Sequence, residues 1–240
     1  MPKDVRLPLF EFAKKQNLYH FDYDKPDDDD IIFKPKFKAN WENDIDNFKG
    51  RPPDFDLTKE HTRMQFEEWL NLKYDISKFF RKMSPDQTTP TVLKALEHVP
   101  MDRSENIQTF ITEQAPGHYI PYHMDVLTTS GIEARKVVDR GMRIIIFLTD
   151  WMPGEFMMWG TTTIQKWKAG WILAWPALKY PHGTANASHH SGFRARISGL
   201  ATEETMSWLK SDSVIELPTQ GSMHEQELEM TIRSEELWTK

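Results

Sequence analysis

Between residues 104 and 202 the chain is written in short segments rich in Ile, Thr, Phe, Trp and Tyr, most of them closed by a turn signal. The segments fall near 106–113, 118–127, 142–149, 155–159, 162–167, 171–175, 181–187 and 193–201. Pro116-Gly117, Pro153-Gly154, Ala169-Gly170 and Ser191-Gly192 punctuate them, as Gly and Pro do where a strand must reverse. About eight short strands without helical periodicity between them predict a double-stranded β-helix, or jelly roll, rather than a parallel α/β sheet. The segment from Thr128 to Arg140 is too long and too polar for a tight hairpin. It predicts a loop that closes over the barrel mouth, with Gly131 and Gly141 as hinges.

Upstream the pattern changes. Phe66, Trp69, Leu70, Tyr74, Ile76, Phe79, Phe80 and Met83 recur at three- and four-residue spacing, which predicts helical structure within 58–99. Thr89-Pro90 reads as an N-cap followed by Pro at the first helical position, opening a helix through Ala95 and Val99. Residues 1–57 read as irregular, with a short helix near Leu9 to Lys15 and a solvated aspartate turn at 27–30. The predicted architecture is mainly β with α. Residues 1–103 form an N-terminal extension and helical wrapping, 104–202 the core, and 203–240 a tail with a helix through Trp208.

Composition narrows the chemistry. At 240 residues the chain can bury a sizeable core without a disulfide or structural metal. It has no cysteine, which excludes thiolate metal sites, iron–sulfur clusters and cysteine nucleophiles. Any metal must be bound by His, Asp, Glu or water. The net charge of −6 and the absence of a basic tract argue against a nucleic-acid partner. The longest apolar run, Ile144 to Leu148, is too short to span a bilayer. Met1 to Asp4 does not open a secretory signal. The expected location is cytoplasmic, without membrane association.

The informative stretch is His118-Tyr119-Ile120-Pro121-Tyr122-His123-Met124-Asp125. Residues two apart on a strand share a face, so His123 and Asp125 can offer an imidazole and a carboxylate to one ion. A second His from a distant strand completes a 2-His-1-carboxylate triad, which leaves open positions on iron(II). The pair alone is weak evidence. Nine His and eighteen Asp in this length give roughly 0.7 such pairs by chance. His20-Phe21-Asp22 is one, but it precedes a Pro- and Asp-rich stretch rather than strands. Downstream lies Tyr180-Pro181-His182, then Phe193-Arg194-Ala195-Arg196-Ile197-Ser198. A guanidinium there can fork onto a carboxylate and a serine hydroxyl can add a hydrogen bond. Arg194 and Arg196 share a face, and Ser198 completing the R-x-S favours Arg196. His118 falls opposite His123 by parity, His189 and His190 read as solvated loop residues, and the tryptophans as sheet packing.

The block from Gln108 to Thr202 resembles the catalytic core of the iron(II)/2-oxoglutarate-dependent oxygenases, whose pattern is H-x-D, a distal His and Arg-x-Ser on the last core strand. Pro116-Gly117, Arg143 and the His182/Asn186 pair are similar to the aspartyl/asparaginyl β-hydroxylase and proline hydroxylase branch. The chain departs from that branch in having Ile145 where it has His, and in two extra residues after Asn186. The resemblance implies iron(II) on His123, Asp125 and His182, and 2-oxoglutarate held by Arg196, Ser198, Arg194 and Arg143. It further implies O2 as oxidant and hydroxylation of a C–H bond in a small-molecule or peptidyl substrate, an amino acid or amino-acid residue being favoured. Asp125 points to hydroxylation rather than halogenation, since the halogenases similar to this family have Gly or Ala there. The alternatives are a non-catalytic cupin-like binding module and a cupin enzyme without 2-oxoglutarate. The Arg-x-Ser argues against the latter.

Overall fold

The structure, a computed structural model, describes residues 31–51, 70–71, 73–123, 134–159, 162–177 and 179–218. Among these residues the strands are β1 (Ile32–Pro35), β2 (Phe37–Lys38), β3 (Arg81–Met83), β4 (Gln108–Gln114), β5 (Tyr119–His123), β6 (Gly141–Phe147), β7 (Glu155–Trp159), β8 (Thr162–Ile164), β9 (Trp171–Pro176), β10 (His182–Asn186), β11 (Gly192–Leu200) and β12 (Ile215–Glu216). The helices lying wholly within them are α1 (Glu42–Lys49), α2 (Pro90–His98), α3 (Ala134–Arg140) and α4 (Glu203–Lys210).

Strands β4 to β11 pair as a long hairpin folded over on itself. β7 pairs with β8, β6 with β9, β5 with β10 and β4 with β11, all antiparallel. Wrapping that hairpin yields two facing sheets, ordered β1-β9-β6-β11-β4-β3 and β5-β10-β7-β8. This nested pairing is a jelly roll. The eight core strands lie within a few residues of the sequence-predicted segments. The remainder of the second segment, beyond His123, lies outside the described residues, as do Asp125 and the decoy pair at 20–22.

Alternation sorts the large sheet into two faces. Ile111, Ile144, Ile146, Ile172, Ala174, Phe193, Ala195 and Ile197 face outward, in one apolar cluster with Trp41 and Phe48 at α1, Val92 and Leu96 of α2, and Leu209 of α4. Burial of these side chains is the main favourable term holding the helices on the sheet. The inner face carries Ile145, Phe147, Leu173 and Trp175, packed with Met157, Trp159 and Trp167.

The N-terminal region departs from expectation. Residues 31–51 are ordered rather than irregular, and β1 closes one edge of the large sheet on β9. Phe79 and Met83 are not on a helix: a 3-10 turn at Ile76–Lys78 leads into β3, which closes the other edge on β4. The extension thus supplies both edge strands, and the outer helices come from both ends of the chain. α2 begins at Pro90 with Thr89 at the N-cap position, as predicted, but the Thr89 side chain makes no capping hydrogen bond. Its hydroxyl closes a turn with Asp86, and Asp44 of α1 accepts from the Val92 N–H at 2.7 Å.

Two glycines test the packing. Gly170 sits at φ +85°, and a Cβ there would fall 1.9 Å from the Phe37 carbonyl oxygen. Its own carbonyl accepts from the Lys36 and Phe37 N–H groups. Gly170→Ala is expected to cost more than about 2 kcal/mol in chemical denaturation, since the left-handed conformation alone costs about 1–2 kcal/mol for a non-glycine residue. Gly141, expected as a hinge, is instead the first residue of β6, where a Cβ would meet the Val137 carbonyl at 2.3 Å. The second half of the expected loop is α3, anchored by buried Val137 and by the pairs Lys136–Glu105 and Arg140–Asp102. Gly131 lies outside the described residues. Among those residues no helix is long and apolar enough to cross a membrane.

Candidate active site

His182 opens β10 and lies directly opposite His123 at the end of β5, with ring centroids 4.5 Å apart. That pairing depends on an irregularity. Thr184 pairs with Ile120 and His182 with His123, so two steps along β10 match three along β5. The extra residue is a bulge at Pro121–Tyr122, and a bulge re-aims the side chains beyond it. Ile120 and His123 therefore both face the interior. The bulge reverses the face parity between His118 and His123, which simple alternation sets on opposite faces. Gly183 stands across from it, where a Cβ would approach the Ile120 carbonyl to 3.1 Å and Tyr122 to 3.3 Å. Gly183→Ala must push β5 away by a few tenths of an ångström. We expect it to cost roughly 1–3 kcal/mol in chemical denaturation, the scale of forcing a backbone shift in a packed interior.

Both imidazoles are oriented by main-chain carbonyls. His123 Nδ1 is 2.8 Å from the Pro121 oxygen and His182 Nδ1 is 3.1 Å from the Tyr180 oxygen. A carbonyl only accepts, so Nδ1 is the donor in each ring, which in a neutral imidazole leaves the lone pair on Nε2. This is the tautomer a metal ligand requires, with the outer contact fixing the ring. His182 is further clamped by Trp159, stacked at 7° and 5.2 Å, and by Trp175, edge-on at 5.1 Å. These tryptophans are packing residues, as expected, but they pack on the histidine. His189 and His190 are exposed in the loop before β11.

The histidines stand at a cavity of about 60 Å³ between the sheets. A cavity of this size holds more than a single water. Arg143, Arg194 and Arg196 reach this cavity from the large sheet, with Gln114 and Thr112. Ile120, Ile145 and Met157 form an apolar wall. Ser198 faces inward opposite Arg143 and its hydroxyl is buried without a hydrogen-bond partner, yet it does not line the cavity. Asp125 is outside the described residues, and among those described no cluster of three or more His, Asp or Glu forms.

The two candidate arginines differ in setting. Arg196 occupies the middle layer, paired with Ile145 and Phe110, its guanidinium 4.9 Å from the Phe110 ring. Arg194 lies one layer deeper and is 5% exposed. Its Nη1 donates to Gln114 Oε1 at 2.8 Å, while Nε and Nη2 are buried without hydrogen-bond partners. Glu155 Oε1 is 3.9 Å from Nη2, close enough for attraction but beyond hydrogen-bonding reach. Burial lowers the Arg194 pKa to about 10, an effect Glu155 opposes, so the group stays cationic at neutral pH. Burial pushes the Glu155 carboxyl upward, against the N–H of Met152 and the charge of Arg194. Gln114 and Glu155 had no sequence motif to mark them. The available signal was alternation, since Thr112 and Gln114 put polar groups on the inner face of a strand.

No protein-family model and no curated protein matches the chain. Solved structures overlap it as cupin jelly rolls at low similarity. The cupin domain of an XRE family transcriptional regulator from Enterobacter cloacae shares 10% identity at TM-score 0.31, over 43% of this chain and 90% of that one. The Cnp3 cupin domain of Schizosaccharomyces pombe shares 10% at TM-score 0.33, over 53% and 66%. Salicylate 1,2-dioxygenase from Pseudoaminobacter salicylatoxidans, solved with gentisate adducts, shares 12% at TM-score 0.32, over 58% of this chain, which spans about a third (31%) of that enzyme. Function is read from the residues of the site itself.

Proposed function

We propose that the protein is an iron(II)/2-oxoglutarate-dependent dioxygenase that hydroxylates a C–H bond, with an amino acid or amino-acid residue as the favoured substrate class. One observation carries this reading: two facing histidines, each with Nδ1 anchored, share a small interior cavity with a buried arginine whose Nε and Nη2 have no hydrogen-bond partner. The donor set fits iron(II). His123 and His182 supply neutral nitrogens and Asp125, two residues beyond His123, the carboxylate. Iron(II) bound there supplies a centre for reducing O2 as 2-oxoglutarate loses CO2. Arg194 takes the distal carboxylate of 2-oxoglutarate on its Nε–Nη2 edge, the edge whose two N–H groups match two carboxylate oxygens. Arg196 and Arg143 add positive charge along the same wall. Ile120, Ile145 and Met157 exclude water from the space between histidines and arginine, which strengthens those electrostatic contacts. Mixing protein, iron(II), 2-oxoglutarate and O2 should release succinate, slowly alone and faster when the right amino acid or peptide is present. Succinate release independent of iron, or none with any substrate, contradicts the proposal.

A further inference from the structure

Gln114 ties the two sheets together at the deep end of the cavity. It ends β4 of the large sheet and is 2% exposed. Its Oε1 accepts from Arg194 Nη1 at 2.8 Å. Its Nε2 donates to Thr184 Oγ1 of β10 at 2.8 Å and to the His118 carbonyl at 3.3 Å. The orientation of the amide is fixed by its partners. Arg194 can only donate and the His118 carbonyl can only accept, so the oxygen must face the guanidinium and the nitrogen the carbonyl. Thr184 lies two residues from His182 on the same strand. One side chain therefore links the strand bearing a histidine to the arginine that faces it.

We infer that Gln114 is the positioning residue that sets the guanidinium of Arg194, and through it the affinity and chain-length preference for a dicarboxylate anion. This rests on the function proposed above. Gln114 occupies Nη1 and so fixes how the guanidinium sits, with Nε and Nη2 buried and without hydrogen-bond partners. An amide does this without cancelling charge. A glutamate here would make a similar contact but place an anion 2.8 Å from the cation in a dry site, where attraction is strong, and would repel the ligand carboxylate. Glu155 Oε1, 3.9 Å from Nη2, attracts the same guanidinium without a hydrogen bond.

The test is an anaerobic titration of full-length protein with iron(II) and then 2-oxoglutarate, followed by the visible band of the ternary complex. Gln114→Met should weaken 2-oxoglutarate binding by about fivefold or more and Gln114→Glu by about tenfold or more, with iron(II) affinity unchanged. In an Arg194→Met background Gln114→Met should have no further effect, because Gln114 acts through Arg194. Competition with oxaloacetate and 2-oxoadipate should show a narrower length preference for wild type than for Gln114→Met. Equal binding by wild type and Gln114→Met, or an undiminished effect in the Arg194→Met background, overturns the inference while leaving the proposed function standing. If wild-type protein takes up iron but shows no 2-oxoglutarate band, both fail. Thr184→Val, which removes the outer anchor of the amide, gives the same reading if Gln114→Met does not fold.

Discussion

His182→Ala is expected to lose iron(II) affinity by more than about a hundredfold and to release no succinate. Loss of an orienting partner alone costs 10–100-fold in metal sites, and here the ligand itself is removed. The same change empties the space between Trp159 and Trp175, so stability should fall by roughly 2–4 kcal/mol from the cavity left behind. His182→Gln fills more of that space and separates the two effects. It should recover much of the stability and little of the iron binding. If His182→Gln keeps wild-type iron affinity, the histidine pair is packing rather than a metal site.

The second large effect concerns the anion. Arg194→Met is expected to raise the 2-oxoglutarate requirement by about ten- to a hundredfold, since charge-assisted hydrogen bonds are worth about 1.5–3 kcal/mol. Iron(II) binding should be little changed. Arg196→Met should have the smaller effect, because Arg196 lies a layer nearer the histidines with its guanidinium against Phe110. The reverse ranking would return the clamp to Arg196 and to the R-x-S reading of the sequence. Removing Arg194 also strands Glu155, a carboxyl only 1% exposed. Burial already raises its pKa above the ordinary 4.5, and losing the nearby cation raises it further. A carboxyl whose folded pKa is raised binds more protons folded than unfolded, so stability falls as pH rises from the unfolded pKa toward the folded one. Arg194→Met should thus lose more stability, relative to wild type, as pH rises from about 4.5 toward neutrality. A deficit independent of pH in urea denaturation across that range contradicts the pairing.

The core was legible because each strand carries its own record. Ile111, Ile144, Ile146 and Ile197 pack outward while Arg143, Ile145, Arg194 and Arg196 point in, and that alternation survives in the sequence as period-two writing. The edge strands were harder to see. Phe33-Lys34-Pro35-Lys36-Phe37-Lys38 does alternate, but lysine and proline are what an edge strand uses to discourage further pairing, and they read as loop. Phe79 and Met83 were misassigned because three- and four-residue spacings also arise when a turn and a short strand bury their side chains in succession. At the site, His123, His182 and the arginine pair were visible as residue types. The bulge that brings His123 into register with His182 was not, since Pro121 fits an edge strand as well as a bulge until Gly183 is placed across from it. The pairing of β11 with β4 and β6 sets Arg194 and Arg196 at different depths, which residue spacing alone does not record.

The central claim is that one chain binds iron(II) and 2-oxoglutarate together through the histidine pair and the buried arginine. Anaerobic addition of iron(II) and then 2-oxoglutarate tests it most directly. The site described here predicts a weak visible charge-transfer band that saturates at one equivalent of iron and is lost in His182→Gln. It should need far more 2-oxoglutarate in Arg194→Met. A protein that binds no iron and gives no band at saturating 2-oxoglutarate would instead be a non-catalytic jelly-roll module whose histidines serve the fold.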